Sequence, residues 1–83
     1  MNVKTFFKFS CIIYNMNTKF STRLKELRLA KGITQKELGK AIGATYSAVS
    51  YWEKGINEPK LSFLIALCNY FEVSADYFLG ISD

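Results

Sequence analysis

Residues 34–54 read TQKELGKAIGATYSAVSYWEK, and this stretch carries the strongest local signals in the chain. Thr34 and Glu37 have the spacing of a capping box, in which each side chain satisfies a backbone N–H group at a helix start. Ile33 before the cap and Leu38 within the helix are placed as the matching hydrophobic staple. A helix of only about two and a half turns is marginal in water, so this one must be packed against other elements.

A second short helix follows almost at once. Gly43 is placed to end the first helix, Thr45 to cap the second and Gly55 to end it. Val49 and Trp52 are three residues apart and share one face of the second helix. Two short helices joined through a glycine, each with a narrow apolar face, predict a helix-turn-helix. The connection is too tight for antiparallel helices, so we expect them to cross steeply.

Apolar spacing predicts three further helices around this pair. The first is expected to begin at Ser21 or Thr22 and to end before Gly32. A longer helix over about residues 61–71 has the broad apolar face of the central helix in a small bundle. Ser74 can cap a last short helix. The predicted fold is therefore all-α.

The first 19 residues differ from the rest of the chain, because Val3–Tyr14 is rich in β-forming residues. A signal peptide fits poorly, since a lysine interrupts the apolar stretch and no small-residue cleavage site follows. An arm that pairs with a second copy remains open, and so does translation from Met16, which leaves 68 residues. We accordingly separate an N-terminal extension, residues 1–19, from a domain over residues 20–83.

Composition limits the remaining possibilities. A chain of 83 residues with a net charge of +4 has room for one domain. Residues 20–60 carry eight bases and four acids, whereas residues 61–83 carry three acids and no base. This asymmetry suits a protein that presents one face to a polyanion, although ordinary surface charge explains it as well.

The chemistry-bearing residue types argue against an enzyme. Two isolated cysteines, Cys11 and Cys68, without any histidine give neither a zinc site nor a disulfide framework, which fits a reducing cytoplasm. The acids are scattered and no glycine-rich phosphate loop is present, so we expect no catalysis, metal or cofactor. No apolar run approaches the roughly 18 residues that span a membrane.

The helix-turn-helix stretch also resembles a known family. TQKELGKAIGATYSAVSYWEKG at residues 34–55 is similar to the helix-turn-helix of the Cro and phage-repressor family, also called the xenobiotic-response-element family. The flanks RLKELRLAKGIT and NEPKLSFLIALCNYFEVSADYFLG match as well, so the resemblance covers roughly residues 20–80. It implies a compact five-helix, lambda-repressor-like DNA-binding domain.

The resemblance also implies roles for individual residues. Four side chains of the second short helix would contact base edges in the major groove: Tyr46, Ser47, Ser50 and Tyr51. Six residues would contact DNA phosphates: Gln35, Lys36, Thr45, Lys54, Asn57 and Lys60. Arg28 and Glu53 would form a structural ion pair, although spacing alone also allows Arg28 to be a phosphate contact.

Two departures from the family pattern matter. The base-contacting positions hold serines and tyrosines instead of residues that make bidentate contacts, so we expect DNA shape to carry much of the specificity. Lys60 stands where relatives have a capping serine. Either Glu58 caps the fourth helix with Pro59 as its first residue, or about 1 kcal/mol of capping is lost.

These features predict a sequence-specific binder of double-stranded DNA, most simply a dimeric repressor. A single domain of this size makes few phosphate contacts, whereas a dimer presents two recognition helices about 34 Å apart. Phe78 and Ile81 are expected either to form part of the dimer contact or to pack within the domain. The alternative is an antitoxin or other protein-interaction module that binds a small protein through Val3–Tyr14.

Overall fold

The computed structural model describes residues 19–81, which form five helices and, within that range, no strand. We number the helices in chain order: α1 over residues 19–31, α2 Gln35–Ile42, α3 Tyr46–Lys54, α4 Leu61–Phe71 and α5 Ala75–Leu79. The predicted all-α fold is confirmed. The predicted N-terminal extension lies, apart from residue 19, outside the described residues.

The start of α1 differs from the sequence prediction. Residues 19 and 20 are already helical, so neither Ser21 nor Thr22 is the N-cap. Ser21 is buried, and its hydroxyl donates a hydrogen bond to the Trp52 carbonyl at 2.7 Å. The helix begins earlier than predicted because Phe20 packs in the core. Burial of this large apolar side chain stabilises the helix more than a side-chain cap at the surface would.

The starts of α2 and α3 agree with the prediction. Thr34 Oγ1 accepts a hydrogen bond from the Glu37 backbone N–H at 3.0 Å, and Glu37 Oε1 accepts one from the Thr34 N–H at 2.9 Å. Thr45 Oγ1 accepts a hydrogen bond from the Ala48 N–H at 3.0 Å. Side chains therefore satisfy backbone donors at both helix starts, in the predicted way.

A single hydrophobic core receives side chains from all five helices. Its buried members are Phe20, Leu24, Leu38, Val49, Trp52, Leu67 and Phe78. The Phe20 and Phe78 rings lie 5.2 Å apart, which joins α1 to α5. Of the two alternatives for Phe78, packing within the domain is confirmed, because the core covers its ring completely. Ile81 remains 59% exposed.

The first turn of α4 settles the open question about its cap. The helix begins at Leu61, and Lys60 is its N-cap without a side-chain hydrogen bond. Capping by Glu58 is therefore excluded, and the helix forgoes the side-chain cap. Leu61 and Ile65 are 72% and 53% exposed, so the apolar face of α4 is broader than the core requires.

Candidate nucleic-acid interface

The position of α3 is set by a close approach between α2 and the turn that follows it. A Cβ atom at Gly39 would lie 2.8 Å from the Ala44 carbonyl oxygen and 3.2 Å from that of Thr45. The Ala44 N–H donates a hydrogen bond to the Gly39 carbonyl at 2.8 Å. Because both neighbours are backbone atoms, only a residue without a side chain permits this turn. Gly39 thereby fixes how α3 leaves α2.

The two sides of α3 have different surroundings. Val49 and Trp52 are buried in the core and hold the helix by its inner side. Tyr46, Ser47 and Tyr51 are exposed, with 58% of Tyr46 and 43% of Tyr51 accessible. Three of the four predicted base-contacting residues are thus available at the surface of one rigid helix.

Ser50 is the exception, because it is buried with only 8% of its surface accessible. Its predicted place on the outer face is wrong. Ser50 precedes Glu53 by three residues and so shares its flank of α3. Glu53 points towards Arg28 of α1 and Gln35 of α2, so this flank faces the neighbouring helices and the short serine is covered there.

A polar network joins α1, α2 and α3 behind the exposed surface. Arg28 Nε donates to Glu53 Oε2 at 2.6 Å, and Arg28 Nη2 donates to Glu53 Oε1 at 3.1 Å. Arg28 Nη1 also donates to the Ile33 carbonyl at 2.9 Å. The hydrogen bond to Glu53 is the main reason that the pKa of Arg28 lies above its ordinary value. The ion pair implied by the family resemblance is present, so the Arg28 guanidinium is occupied within the fold.

Gln35 completes this network, which the sequence did not predict. Its Nε2 donates a hydrogen bond to Glu53 Oε1 at 3.0 Å. One side-chain N–H of Gln35 is therefore used inside the protein, while its backbone N–H belongs to the first residue of α2. The expected phosphate contact of Gln35 must rely on that backbone donor and the second side-chain N–H.

The other predicted phosphate contacts surround α3 at the surface. All are exposed, and they lie at the start of α2, at both ends of α3 and in the loop before α4: Lys36, Thr45, Lys54, Asn57 and Lys60. The Thr45 hydroxyl accepts from the Ala48 N–H, so its own proton stays available. Glu53, the acid of α3, is neutralised by Arg28, so α3 presents no uncompensated negative charge.

Two bases of α1 contact aromatic rings of other helices. Arg23 stacks over the Tyr77 ring at 4.3 Å, and Lys31 lies over the Tyr70 ring at 4.3 Å. These cation–π contacts join α1 to α5 and α4. Charge counting along the sequence could not separate these bases from those beside α3, because the partner rings are at least 39 residues away in the chain.

Within residues 19–81, no group of three or more His, Cys, Asp or Glu side chains is arranged to hold a metal ion. None of the described helices is both long enough and apolar enough to cross a bilayer.

The family model described as helix-turn-helix matches residues 24–78. An uncharacterized HTH-type transcriptional regulator of Bacillus subtilis, YobD, is 34% identical over 64 residues, which are 77% of this chain and 57% of that protein. Repressor protein C2 of Salmonella phage P22 is 37% identical over 65 residues, which are 77% of this chain and 30% of that protein. The chain thus spans little more than half, or less, of these relatives.

A solved structure shows the same fold. In the crystal structure of the P22 c2 repressor with synthetic operator 9T, the protein is 35% identical to this chain and superposes with a TM-score of 0.70. The match covers 72% of this chain and 91% of that one. Residues 24–78, which the family model matches, contain both α2 and α3 and most of the core. The chain belongs to the Cro and phage-repressor family of helix-turn-helix proteins.

Proposed function

We propose that this domain binds double-stranded DNA sequence-specifically, with α3 in the major groove, and acts as a transcriptional regulator, most simply a repressor. The observation that carries the proposal is the two-sidedness of α3. Its inner side is fixed by Val49 and Trp52, while its outer side presents Tyr46, Ser47 and Tyr51 to solvent. The P22 c2 repressor, whose fold this chain shares, has been solved with operator DNA.

The contact set is revised from the sequence prediction. Ser50 is removed as a base contact because it is buried. Tyr46, Ser47 and Tyr51 remain as base contacts, and Lys36, Lys54 and Lys60 as the cationic phosphate contacts. Thr45, Asn57 and the α2 amide of Gln35 would add uncharged phosphate contacts.

A homodimer is part of this proposal. Three exposed apolar side chains, Ile56, Leu61 and Ile65, follow α3 in the chain, at 62%, 72% and 53% exposure. A two-fold contact between such surfaces on two copies would relate the two α3 helices by the same symmetry axis. Two helices spaced by about 34 Å then meet successive major grooves of one DNA face.

Binding assays at several salt concentrations test the proposal. Replacement of Lys54 by Ala should weaken binding to all sequences alike and reduce the salt dependence by about one unit. Replacement of Ser47 by Ala should instead change which sequences bind. Lys25, an exposed base on α1, gives the control variant Lys25→Ala, which should leave both properties unchanged. Affinity for duplex DNA that does not depend on salt would contradict the proposal.

The alternative of an antitoxin or protein-interaction module stays a prediction. It depends on Val3–Tyr14, which lie outside the described residues. Co-purification of a small unrelated protein with the native chain would support it. A cytoplasmic location and the lack of catalysis also remain predictions from composition.

A further inference from the structure

Two tyrosine rings on α3 are not used by the fold. Tyr46 is 58% exposed and Tyr51 is 43% exposed, whereas Trp52 of the same helix is 4% exposed and packs on Phe63 at a centroid distance of 5.5 Å. Within residues 19–81 neither tyrosine forms a hydrogen bond or a ring contact through its side chain. The domain therefore keeps two large, partly apolar side chains in water on the surface proposed to meet DNA.

The rest of that surface offers little for hydrogen-bonded base recognition. Ser47 lies between the two tyrosines and its hydroxyl suits several bases. Lys54 is the last residue of α3, whereas recognition helices contact bases with their N-terminal residues. The carboxylate of Glu53 is held by Arg28. No exposed side chain in the first two turns of α3 can make a bidentate contact with a base.

Most features of base edges in the major groove are hydrogen-bond donors or acceptors. Thymine alone adds an apolar group, its 5-methyl. A tyrosine ring buries apolar area against a methyl group, while its single hydroxyl discriminates poorly between acceptors. We propose that Tyr46 and Tyr51 read thymine through its 5-methyl group. This inference rests on the proposed function and specifies what α3 recognises.

The helix geometry assigns the two rings to different base pairs. Five residues separate Tyr46 from Tyr51, which places their Cα atoms about 7.5 Å apart along the helix axis. Their directions differ by about 140° around that axis. The axial separation is about twice the rise of one base pair, which is about 3.4 Å, and the two rings also point in different directions. Each ring therefore meets its own thymine, and the effects of changing the two residues should be separable.

The test uses a duplex recovered by selection from a random-sequence DNA library. Each thymine in it is replaced in turn by deoxyuridine, which removes the methyl group and leaves every hydrogen-bonding group. We expect binding to weaken about fourfold at the positions beneath the rings. Tyr46→Phe and Tyr51→Phe keep the ring and should keep this fourfold ratio between the affinities for thymine and uridine DNA. Tyr46→Ala or Tyr51→Ala should bring the ratio close to one at a single position.

Leu29→Ala is the matched control, because Leu29 is also 58% exposed but belongs to α1. Leu29→Ala should leave the ratio between the affinities for thymine and uridine DNA unchanged at every position. If selection enriches a duplex but uridine is neutral everywhere, this inference is overturned while the proposed function stands. A Tyr→Phe variant that loses discrimination as completely as Tyr→Ala assigns recognition to the hydroxyl and overturns it too. If no sequence is enriched, the proposed function fails as well.

Discussion

The pair α2–α3 and the pair α4–α5 belong to one core but are stabilised differently. Both helices of the first pair begin with a side-chain cap, from Thr34 and Thr45, and α3 is tied to α1 through Glu53. In the second pair Ser74 caps α5, but Lys60, the N-cap of α4, makes no side-chain hydrogen bond. The C-cap of α4 is Glu72, a non-glycine residue with a left-handed φ of 57°. Directional polar contacts dominate the first pair.

Apolar packing takes their place in the second pair. The rings of Tyr70 and Phe71 lie 5.0 Å apart, and those of Phe71 and Phe78 lie 6.4 Å apart. A helix as apolar as α4 is held by burial and tolerates unfavourable ends. A smaller share of the residues in α2 and α3 is apolar than in α4, and one side of α3 is exposed to solvent. We infer that caps and the ion pair replace the packing that the exposed face gives up.

The largest test of this difference is the ion pair. Glu53→Gln leaves the buried Arg28 charge without a counter-charge, and we expect the free energy of unfolding to fall by about 3 kcal/mol. Urea unfolding followed through the emission of Trp52, the single tryptophan, measures it. Glu26→Gln removes an exposed acid from α1 and should change stability by less than about 0.5 kcal/mol. Equal effects of the two changes would contradict the interpretation that the Arg28–Glu53 ion pair stabilises the fold.

The second test concerns the contact between α2 and the turn. Gly39→Ala should improve helix propensity by about 1 kcal/mol, but the added Cβ would meet the Ala44 carbonyl oxygen at 2.8 Å. Because backbone cannot easily give way, we expect a net loss of about 2 kcal/mol. The substitution should also change the orientation of α3, so the affinity for DNA should fall by more than the loss of stability explains. A variant as stable as the wild type would show that the turn can relax.

The helices were largely predictable because their end signals are local. Thr34 with Glu37, Thr45, Ser74 and the terminating glycines each act within one turn of chain. The early start of α1 was not predictable, because Ser21 finds its partner 31 residues away at Trp52. The left-handed Glu72 was also missed, since its sequence carries no glycine signal.

The proposed site was predictable only in part, for a related reason. Periodicity separates the buried Val49 and Trp52 from the exposed Ser47 and Tyr51. It does not reveal that neighbouring helices cover the flank of α3 that carries Ser50. Positions at the edge of a helix face depend on tertiary contacts, which a single sequence does not contain.

A smaller effect is expected at the C-terminal ends of the compared helices. Gly43 ends α2 with a φ of 78° and would have nothing within 4 Å of an added Cβ, so Gly43→Ala adds backbone strain alone and should cost about 1 kcal/mol. Glu72→Gly makes the opposite change at the end of α4 and should gain about 0.5 kcal/mol, since relief of strain exceeds the extra entropy of the unfolded chain. Urea unfolding gives both values; shifts of the same sign would contradict this account.

The smallest expected effect is a dependence on pH confined to the start of α2. The Thr34 backbone N–H and then its hydroxyl lower the pKa of Glu37 below its ordinary value of 4.5. The charged carboxylate therefore stabilises the fold above pH 4.5, and this contribution is lost as the pH falls through the lowered pKa. Glu37→Gln keeps the geometry of a capping box without the titration.

The gap in unfolding free energy between the wild type and Glu37→Gln should thus shrink steadily on acidification. Urea unfolding at a series of pH values between 7 and 3 measures it. The uncapped start of α4 has no acid in its first turn, so a titration there cannot produce the same signal. A gap that stays constant over the whole range would mean that the charge of Glu37 does not contribute to stability. The hydrogen-bonding geometry of the capping box would then account for the whole effect of the α2 cap.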